Sequence, residues 1–410
     1  MNSGRLLTSL GLCFGLAGNG IAFESTKVLP KGIRNLNLRT LYTTTSTKTN
    51  KDGDIEPLAE PLWKPLKFRN ILSSEEGLKK KQLQALLLQQ GWSEDDSVGD
   101  FYAELDAQIN VWAPIFAYGI SDKLTLATAL PIYNASTDIK AGFRTNEGAD
   151  RFISALTDPT MSNTKSAVEA AEKFQNAIGR LNNKLVDNGY DELEKWNGTG
   201  VGDLTILAKY LAYDGDIFKA ALTGGFTAPT GKKESPDILT DLPFGDGQWD
   251  LISQVTLDQF LTPNLVMNQF VKYTYQAADK KTTRLKTGEE TIEVELKELD
   301  YKLGDKVDAG ISIQYEQPIT GIQTGLGLVA YKKYGDRYST DDLAAKDELQ
   351  RATDHEAFYW QAKLGYSALG AFKRGEFAVP LMASIEYRKQ KIGQNLPRTD
   401  FTQVDIRLFF

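Results

Sequence analysis

Charged side chains occur at every second position of several runs whose intervening residues are apolar. In "VDIRLFF", for example, Asp405 and Arg407 alternate with apolar residues. In a strand this spacing places carboxylates and cations on one face, and such a face can line a water-filled conduit and set its ion selectivity. The residues predicted to line this interior are mixed in sign: Arg39, Glu104, Asp106, Lys209, Asp258, Lys272, Asp308, Glu316, Lys363, Glu386, Arg388, Asp405 and Arg407. In an alternative interpretation these charges pair across a closed interior that conducts nothing.

Residues that commonly carry catalysis or bind transition metals are scarce. The chain has one histidine, His355, and one cysteine, Cys13. No serine stands beside His355, so a solvated loop residue is favoured over the serine–histidine pair of an outer-membrane phospholipase. The run "NKDGDIE" supplies oxygen ligands at Asn50, Asp52 and Asp54, but its glycine is misplaced for a calcium loop. No enzyme activity, cofactor or metal site is therefore predicted.

Length and composition exclude two classes of protein. No apolar run of about 18 residues follows the N-terminal region, which excludes a membrane protein built from helices. The formal net charge of −7 argues against a nucleic-acid partner.

Residues 1–22 predict a cleaved export signal, with Arg5 before the apolar run "LLTSLGLCFGL" and small residues before Phe23. The remainder, 23–410, is predicted to form one domain without cysteine, because Cys13 lies in the signal.

Short and long connections alternate strictly along the chain. Short turns are predicted at "AYGISDK", "YDGDIFK", "FLTPNLV", "EQPITGI" and "LGAFKRGEF", each rich in Gly, Pro, Asn or Asp. The long stretches are roughly 44–98, 135–200, 231–247, 277–304, 335–355 and 390–398. This asymmetry is typical of a barrel across an outer membrane, which has short periplasmic turns and long outer loops.

The runs between these connections alternate at period two, as strands with two different faces should. Examples are "YAELDAQINVW" and "FAVPLMASIEYRK", and about twelve such runs follow from "GIRNLNLRTLY" to the C-terminus. Strands of about ten residues match a tilted membrane crossing, and aromatic residues cluster at their ends. The predicted fold is all-β: a transmembrane antiparallel β-barrel of about twelve strands, with the apolar face toward lipid. A soluble sheet with one wet face is the alternative.

Two of the long loops, at about 44–98 and 135–200, are predicted to contain helical insertions. "SSEEGLKKKQLQALLLQQG" has a capping box from Ser73 to Glu76 and a stop at Gly91. "SAVEAAEKFQNAIGRLNNKL" has a capping box from Ser166 to Glu169 and an apolar face. Such insertions either form a lid or plug over the mouth of the barrel or merely keep a long loop ordered.

The C-terminal strand predicts the partners of the protein. It must pair with the first strand, because unpaired backbone groups in lipid are costly. Its alternation and its last residue, Phe410, also resemble the C-terminal signature that the barrel-insertion machinery of Gram-negative bacteria recognises. The predicted location is therefore the outer membrane. The predicted partners are its lipid and lipopolysaccharide, the insertion machinery and small solutes.

One long stretch, "GTGVGDLTILAKYLAYDGDIFKAALTGGFTAPTGKKES", together with the upstream "YGISDKLTLATALPIY", resembles the family described as "putative MetA-pathway of phenol degradation". The resemblance is clearest over about 100–275. Its residues here are Gly200, Gly202, Asp203, Pro229, Thr230 and Gly231. The glycines suit a loop that joins a strand, and the proline suits the end of a ladder, so these residues are interpreted as structural.

The resemblance implies an outer-membrane transporter. The function predicted is passive passage of small solutes, with aromatic or weakly polar compounds as candidates. A structural or adhesive barrel without transport is one alternative, and an outer-membrane lipase is another. A transporter would conduct without hydrolysis, and a lipase would show hydrolysis that depends on His355. A structural or adhesive barrel would show neither.

Overall fold

The computed structural model describes residues 24–73, 77–157, 177–285 and 295–410. The predicted export signal, 1–22, lies outside the described residues. So do both predicted capping boxes, except for Ser73. Among the described residues, no helix is long and apolar enough to cross a membrane.

The described residues of the first half of the chain form ten strands, four helices and one short 3-10 helix at Glu60–Leu62. The strands are β1 Arg34–Thr45, β2 Thr47–Thr49, β3 Ile55–Pro57, β4 Lys64–Lys67, β5 Ser97–Ser121, β6 Leu124–Ala129, β7 Ile132–Thr145, β8 Trp196–Val201, β9 Leu204–Asp214 and β10 Phe218–Ala228. The helices are α1 Phe68–Ser73, α2 Gly77–Gln90, α3 Glu147–Thr157 and α4 Ala177–Asp187.

The second half, apart from the undescribed 286–294, contributes eleven strands and two helices. The strands are β11 Asp250–Thr262, β12 Leu265–Gln276, β13 Asp279–Leu285, β14 Glu295–Lys302, β15 Lys306–Glu316, β16 Ile322–Lys333, β17 Arg337–Tyr338, β18 His355–Ser367, β19 Leu381–Gln394, β20 Leu396–Pro397 and β21 Asp400–Phe409. The helices are α5 Leu343–Gln350 and α6 Leu369–Lys373.

Twelve antiparallel strands close into a barrel. Their order around the wall is β1, β5, β6, β9, β10, β11, β12, β15, β16, β18, β19 and β21. β1 closes the circle by pairing with β21 on one side and β5 on the other, so that Arg39 lies opposite both Asp405 and Ala113. Closure satisfies the backbone groups of the first and last strands, as lipid requires. The predicted twelve-strand barrel is confirmed.

The two ends of the barrel differ as predicted. Five short connections, 122–123, 215–217, 263–264, 317–321 and 368–380, lie at what we term the inner end. The long connections gather at the outer end, where β7 and β8 extend the sheet beyond β6 and β9. The predicted long loop at 135–200 is therefore shorter than expected, because 135–145 belongs to β7, and the loop at 277–304 contains the hairpin β13–β14.

Several element boundaries also differ from the sequence-based expectation. The strand predicted from Phe377 begins only at Leu381, because Pro380 has no N–H for the ladder and the turn before it contains α6. The predicted helix stop at Gly91 is confirmed: α2 ends at Gln90, and Gly91 has φ +70, a left-handed conformation that favours glycine.

The exterior carries the features of a lipid-facing surface. Apolar side chains on the outer faces of the strands remain exposed, such as Leu222, Val255 and Ile406. Exposed aromatic residues lie toward both ends of the barrel, with Trp112 and Trp249 toward the outer end. Such belts mark the two membrane–water interfaces.

Candidate functional site

Cross-strand ion pairs lie inside the barrel because inward positions on neighbouring strands stand directly opposite one another. Lys272 of β12 faces Asp308 of β15, and the Nζ–Oδ2 distance is 3.0 Å. Lys363 of β18 faces Glu386 of β19, with 3.9 Å between Nζ and Oε1. Burial of such charges is tolerated only when they are paired. Each of these pairs balances one cation with one anion.

Asp405 is the most connected of the predicted interior residues. It is 1% exposed and accepts hydrogen bonds from the Nε of Arg39 at 2.9 Å and from the amide of Asn37 at 2.7 Å. The amide of Gln403 donates to its second oxygen at 2.6 Å, and Arg407 lies 4.0 Å away. These donors compensate for the loss of water around the carboxylate.

The N-terminal segment 24–33 lies inside the barrel, a placement that the sequence did not reveal. The backbone N–H and the hydroxyl of Thr26 donate to Asp258 Oδ2 at 2.9 Å and 2.6 Å, and Thr26 is 1% exposed. Asn268 donates to the other oxygen of Asp258. Lys209 donates to the carbonyl of Ser25 at 3.0 Å. Two predicted interior residues, Asp258 and Lys209, therefore hold a segment of the chain itself.

Gly119 on β5 explains how this segment enters the barrel. Its N–H donates to the carbonyl of Ile33, and its carbonyl accepts from the N–H of Gly32. A Cβ at this position would lie 2.0 Å from the carbonyl oxygen of Pro30. Only glycine permits this close approach of two backbones. The segment thus crosses the inner end against β5 before β1 begins.

Other predicted interior residues also point inward. Arg388 is buried, and its guanidinium lies 6.0 Å from the ring centroid of Tyr359. Glu316, near the inner end, accepts a hydrogen bond from the Gln323 amide at 2.9 Å. A small cavity lies beside Arg388 and is lined by Leu41, Gln361, Glu386, Tyr387, Arg388, Phe401 and Gln403. The interior therefore combines charged, amide and aromatic groups.

Glu104 and Asp106 are corrections to the predicted interior set. Both are exposed on the outside of β5. Leu105, which lies between them, and Ile109, which follows them, are buried inside the barrel. The reason is that this part of β5 pairs with β7 beyond the lipid band. Water surrounds its outer face there, and the apolar face packs into the barrel instead. The alternation predicted two faces correctly but assigned them to the wrong sides.

The inward residues of β5 form an apolar wall, which we define as Ala103, Leu105, Ala107, Ile109, Val111, Ala113 and Ile115. The first five are at most 2% exposed and belong to one cluster of apolar side chains. Tyr331, Tyr359 and Phe401 join this cluster from other strands. Two loops also contribute, because Leu58 and Phe244 pack against the same cluster.

The strands across the barrel present a polar wall, which we define as the inward residues of β11, β12 and β15. By strand order β15 lies six places from β5 in the circle of twelve, directly across the interior. The inward positions of this wall are mostly polar and buried: Asp250, Gln254, Thr256, Asp258, Asn268, Lys272, Thr274, Gln276, Lys306, Asp308 and Ser312. The interior is therefore amphipathic from one side to the other.

Two buried cations were missed by sequence reasoning. Lys306 lies 3.8 Å from Asp250 and 4.0 Å from Asp246. Lys333 forms an ion pair with Asp336 and donates to the carbonyl of Thr353 at 2.8 Å. Both residues continue an alternating run at its outer end, and that continuity is the signal that would have found them.

His355 is a further correction. It was predicted to be a solvated loop residue, but it is the first residue of β18, is 2% exposed and lies opposite Lys333 of β16. Its position is inward, and the loop 334–354 separates it from the outer surface. This burial gives no support to a lipase, which needs an accessible histidine.

The six residues of the family resemblance come together at the outer rim. Thr230 donates from its hydroxyl to the carbonyl of Gly202 and accepts from the N–H of Leu204, both at 2.9 Å. Asp203 accepts from the N–H groups of Gly231 at 2.7 Å and Asp246 at 3.3 Å. These contacts join the break between β8 and β9 to the end of β10.

Asp203 lies outside the strands, and its ionisation is perturbed. Burial raises the pKa of its carboxyl group to about 6, because desolvation outweighs the two backbone hydrogen bonds that favour the charged form. A side chain at Gly200 or Gly202 would collide with Phe244, Tyr133 or Pro131. The arrangement is thus tight and serves to close the rim.

Three ion pairs fasten the hairpin β13–β14 to the loop 229–249 at the outer end. The pairs are Lys233–Asp279, Lys281–Glu234 and Arg284–Asp237. Burial is the largest influence on the pKa of Lys281 and would lower it, but the charge and hydrogen bond of Glu234 together with the nearby Tyr338 and Asp336 outweigh burial, so the pKa is raised. Because buried charges are costly without partners, these pairs hold the two outer segments in one arrangement.

Comparisons with known proteins agree with this architecture. The family model described as "Putative MetA-pathway of phenol degradation" matches residues 93–372, more than half of the chain. The protein belongs to this family. Among proteins with curated descriptions, none matches the chain.

Solved structures also match the chain. The crystal structure of an outer membrane channel from Pseudomonas putida F1 has a TM-score of 0.53 and 12% sequence identity, covering 95% of this chain and 100% of that one. The CymD monoaromatic hydrocarbon channel has a TM-score of 0.34 and 9% sequence identity, covering 93% of this chain and 89% of that one. The Ralstonia pickettii toluene transporter TbuX has a TM-score of 0.33 and 8% sequence identity, covering 93% of this chain and 90% of that one. The first likeness confirms the barrel fold. The closed barrel, with its exposed apolar exterior, agrees with the predicted location in the outer membrane.

Proposed function

We propose that the protein is a passive outer-membrane channel for small solutes that combine an apolar, often aromatic, part with a polar group. The observation that carries the proposal is the contrast between the apolar wall on β5 and the polar wall on β11, β12 and β15. A solute with a ring and a hydroxyl group can place each part against a matching wall. The family description, which refers to phenol degradation, is consistent with such solutes.

The balance of interior charge supports passage of neutral solutes. Lys272 is paired with Asp308, and Lys363 with Glu386, so each cation is neutralised locally. A ring of one sign would instead concentrate counter-ions and favour their conduction. We therefore expect weak ion selectivity in the wild-type protein.

Passage requires the N-terminal segment to move, because Thr26 and its neighbours occupy the interior. The contact between Thr26 and Asp258 is the strongest restraint on this segment, since two donors meet one buried carboxylate oxygen. A hydrogen bond to a charged group contributes about 1.5–3 kcal/mol. Loss of the Thr26 hydroxyl should therefore shift the segment toward a displaced position.

Planar-bilayer recording of two matched variants tests the proposal. Thr26→Val removes the hydroxyl that binds Asp258. Thr223→Val removes a buried hydroxyl of β10 that has no hydrogen-bond partner among the described residues. We expect the conductance of Thr26→Val to exceed that of both wild type and Thr223→Val. A silent bilayer with a protein that still migrates as a folded barrel before heating would reject a channel.

The same preparation addresses the two alternatives and the absence of enzyme activity. A lipase would hydrolyse phospholipid in these vesicles, and His355→Ala would abolish the hydrolysis. A structural or adhesive barrel would neither conduct nor hydrolyse. We expect conductance and no hydrolysis that depends on His355.

The insertion machinery and the surrounding lipid are part of the same proposal. Phe410 is 59% exposed, and its backbone exchanges hydrogen bonds with Arg34 at 2.8 Å and 3.0 Å. The terminal ring thus stands on the outside of the closed seam, where another protein can contact it during assembly. Deletion of Phe410 should lower the yield of inserted barrel and leave the conductance of inserted molecules unchanged.

A further inference from the structure

A β-bulge in β19 creates an unusual outward surface near the outer end. Phe358 lies opposite Ile392, but the next residue, Tyr359, lies opposite Gln390, so Lys391 has no cross-strand partner. A bulge of this kind inserts one extra residue and redirects its side chain. Lys389 and Lys391 lie on the outside by the ordinary alternation of the strand, with Gln390 buried between them, and the bulge turns the next residue, Ile392, outward as well.

Aromatic rings flank these lysines. The Nζ of Lys391 lies 5.9 Å from the ring centroid of Trp360, a cation–π contact. The Trp360 ring packs edge-on against Tyr387 at 5.7 Å, and Lys389 is paired with Trp360 across the strands. We call the set Lys389, Lys391, Trp360 and Tyr387 the β19 patch.

Neither lysine of the β19 patch has an ion-pair partner within the described residues. The neighbouring outward lysine, Lys332, differs, because its Nζ binds Glu356 at 2.7 Å. Two unpaired cations on adjacent outward positions repel each other and need an anion from outside the chain. Within the described residues no ion pair neutralises either lysine, and the carboxylate that contacts the patch, Asp400, accepts a hydrogen bond from the Tyr387 hydroxyl at 2.9 Å instead.

The position of the patch identifies the source of that anion. Trp360 and Tyr387 belong to the aromatic belt of the outer end, so the lysines beyond them lie at the level of lipid headgroups. The rim three strands away, at β5 and the adjoining β7, carries outward carboxylates instead, including Glu104, Asp106 and Asp138. An anionic headgroup is thus attracted at the β19 patch and repelled at this neighbouring part of the rim.

We infer that the β19 patch binds a phosphate group of lipopolysaccharide, the phosphorylated glycolipid of the outer leaflet. The ammonium groups of Lys389 and Lys391 contact the phosphate. The rings of Trp360 and Tyr387 pack against the sugar that carries it. This site lies on the lipid side of the wall and does not depend on the channel proposal.

Native mass spectrometry of the purified full chain in detergent tests the inference. The protein is titrated with bisphosphorylated lipid A, with dephosphorylated lipid A, and with bisphosphorylated lipid A in excess inorganic phosphate. The test variant is Lys389→Gln/Lys391→Gln. Its matched control is Lys123→Gln/Lys373→Gln, which removes the same charge from exposed positions at the inner end. Lys389→Arg/Lys391→Arg tests rescue by charge.

We expect the Kd for bisphosphorylated lipid A to rise at least about tenfold in the test variant. It should stay at the wild-type value in the control and in the arginine variant. Dephosphorylated lipid A should bind more weakly than the phosphorylated form to the wild type, the control and the arginine variant, whereas the test variant should bind the two forms equally. Both positions are on the outside, so the barrel should fold, and heat-dependent gel migration checks this.

Three outcomes would overturn the inference. Equal affinities in the test variant and the wild type would show that the lysines do not contact the lipid. An equal loss of affinity in the inner-end control would show that binding depends on the overall charge of the protein and not on this patch. Complete displacement of the lipid by inorganic phosphate would mean that the patch binds free phosphate instead of a glycolipid.

Discussion

β5 and β21 have the same alternating pattern but bury opposite faces. In β21 the apolar residue Ile406 is exposed on the lipid side, and Asp405 is buried inside. In the outer half of β5 the apolar residue Ile109 is buried inside, and Asp106 is exposed. Alternation therefore identifies two faces of a strand, whereas its surroundings decide which face is inside.

The surroundings of the two strands differ in a simple way. β21 lies between β1 and β19, whose outward apolar side chains continue the lipid-facing surface. The outer half of β5 lies beside β7, whose outward residues include Asn134, Asp138 and Lys140. Water solvates that outer face, so the apolar side chains gain more by packing inside the barrel.

The largest loss of stability is expected when a charge is placed on the buried apolar face of β5. Ile109→Lys places an unpaired ammonium group in a site that is 1% exposed, and should cost about 3–5 kcal/mol of stability. The matched change Asp106→Asn on the exposed face should alter stability by less than about 0.5 kcal/mol. Denaturant unfolding of the reconstituted barrel measures both. A tolerated lysine with a damaging asparagine would mean that β5 has the orientation expected from its sequence.

A smaller loss of stability is expected on β21, where the substituted residue faces lipid and not the interior of the barrel. Ile406→Arg should cost roughly 2–4 kcal/mol if the residue lies near the middle of the membrane. Its neighbour Asp405→Asn keeps the shape of the side chain. Arg39 and Arg407 then lose their charged partner, but they are 15% and 30% exposed and can be hydrated, so most of the folded yield should be retained. Outer-membrane yield of the two variants compares them directly. Equal yields would contradict the assignment of faces in β21.

Asp405→Asn should also change ion preference. The substitution leaves Arg39 and Arg407 without their carboxylate, so the interior gains net positive charge. Reversal potentials across a salt gradient should shift toward anions. The shift should be absent in Asp106→Asn, which removes a charge from the outside.

The smallest effect concerns the rim, where Asp203 joins two strand ends. Its folded-state pKa is raised to about 6, above the ordinary value of 3.8. The folded protein therefore binds a proton more tightly than the unfolded chain, so this group favours folding below about pH 4 and loses that contribution as pH rises through about 6. Asp203→Asn should abolish this part of the pH dependence. An identical pH profile in the variant would contradict it.

The barrel itself could be predicted from sequence because its determinants are local. Turn residues and period-two alternation report the strand number, the closing strand and the alternation of short and long connections, and these are confirmed, whereas the loop predicted at 135–200 is shorter because 135–145 belongs to β7. The interior positions of Lys272, Lys363 and Asp405 follow from the same pattern. Local pattern could not reveal that segment 24–33 folds into the interior, because that depends on long-range contacts such as Thr26 with Asp258.

The burial of His355 and the bulge at Lys391 were hidden for a related reason. Each depends on the register between neighbouring strands, Lys333 with His355 and Tyr359 with Gln390. Register is a property of strand pairs and cannot be read from one strand. The orientation of β5 is the same problem on the scale of a whole strand.

The amphipathic interior is the central claim, and solute uptake by proteoliposomes tests it most directly. Swelling rates are compared for phenyl glucoside, which has a ring and a hydroxylated part, and for sucrose, which has only the latter. We expect phenyl glucoside to enter faster, and Thr26→Val to raise its rate further. Sucrose entering as fast as phenyl glucoside, or no swelling with a folded barrel, would contradict the claim.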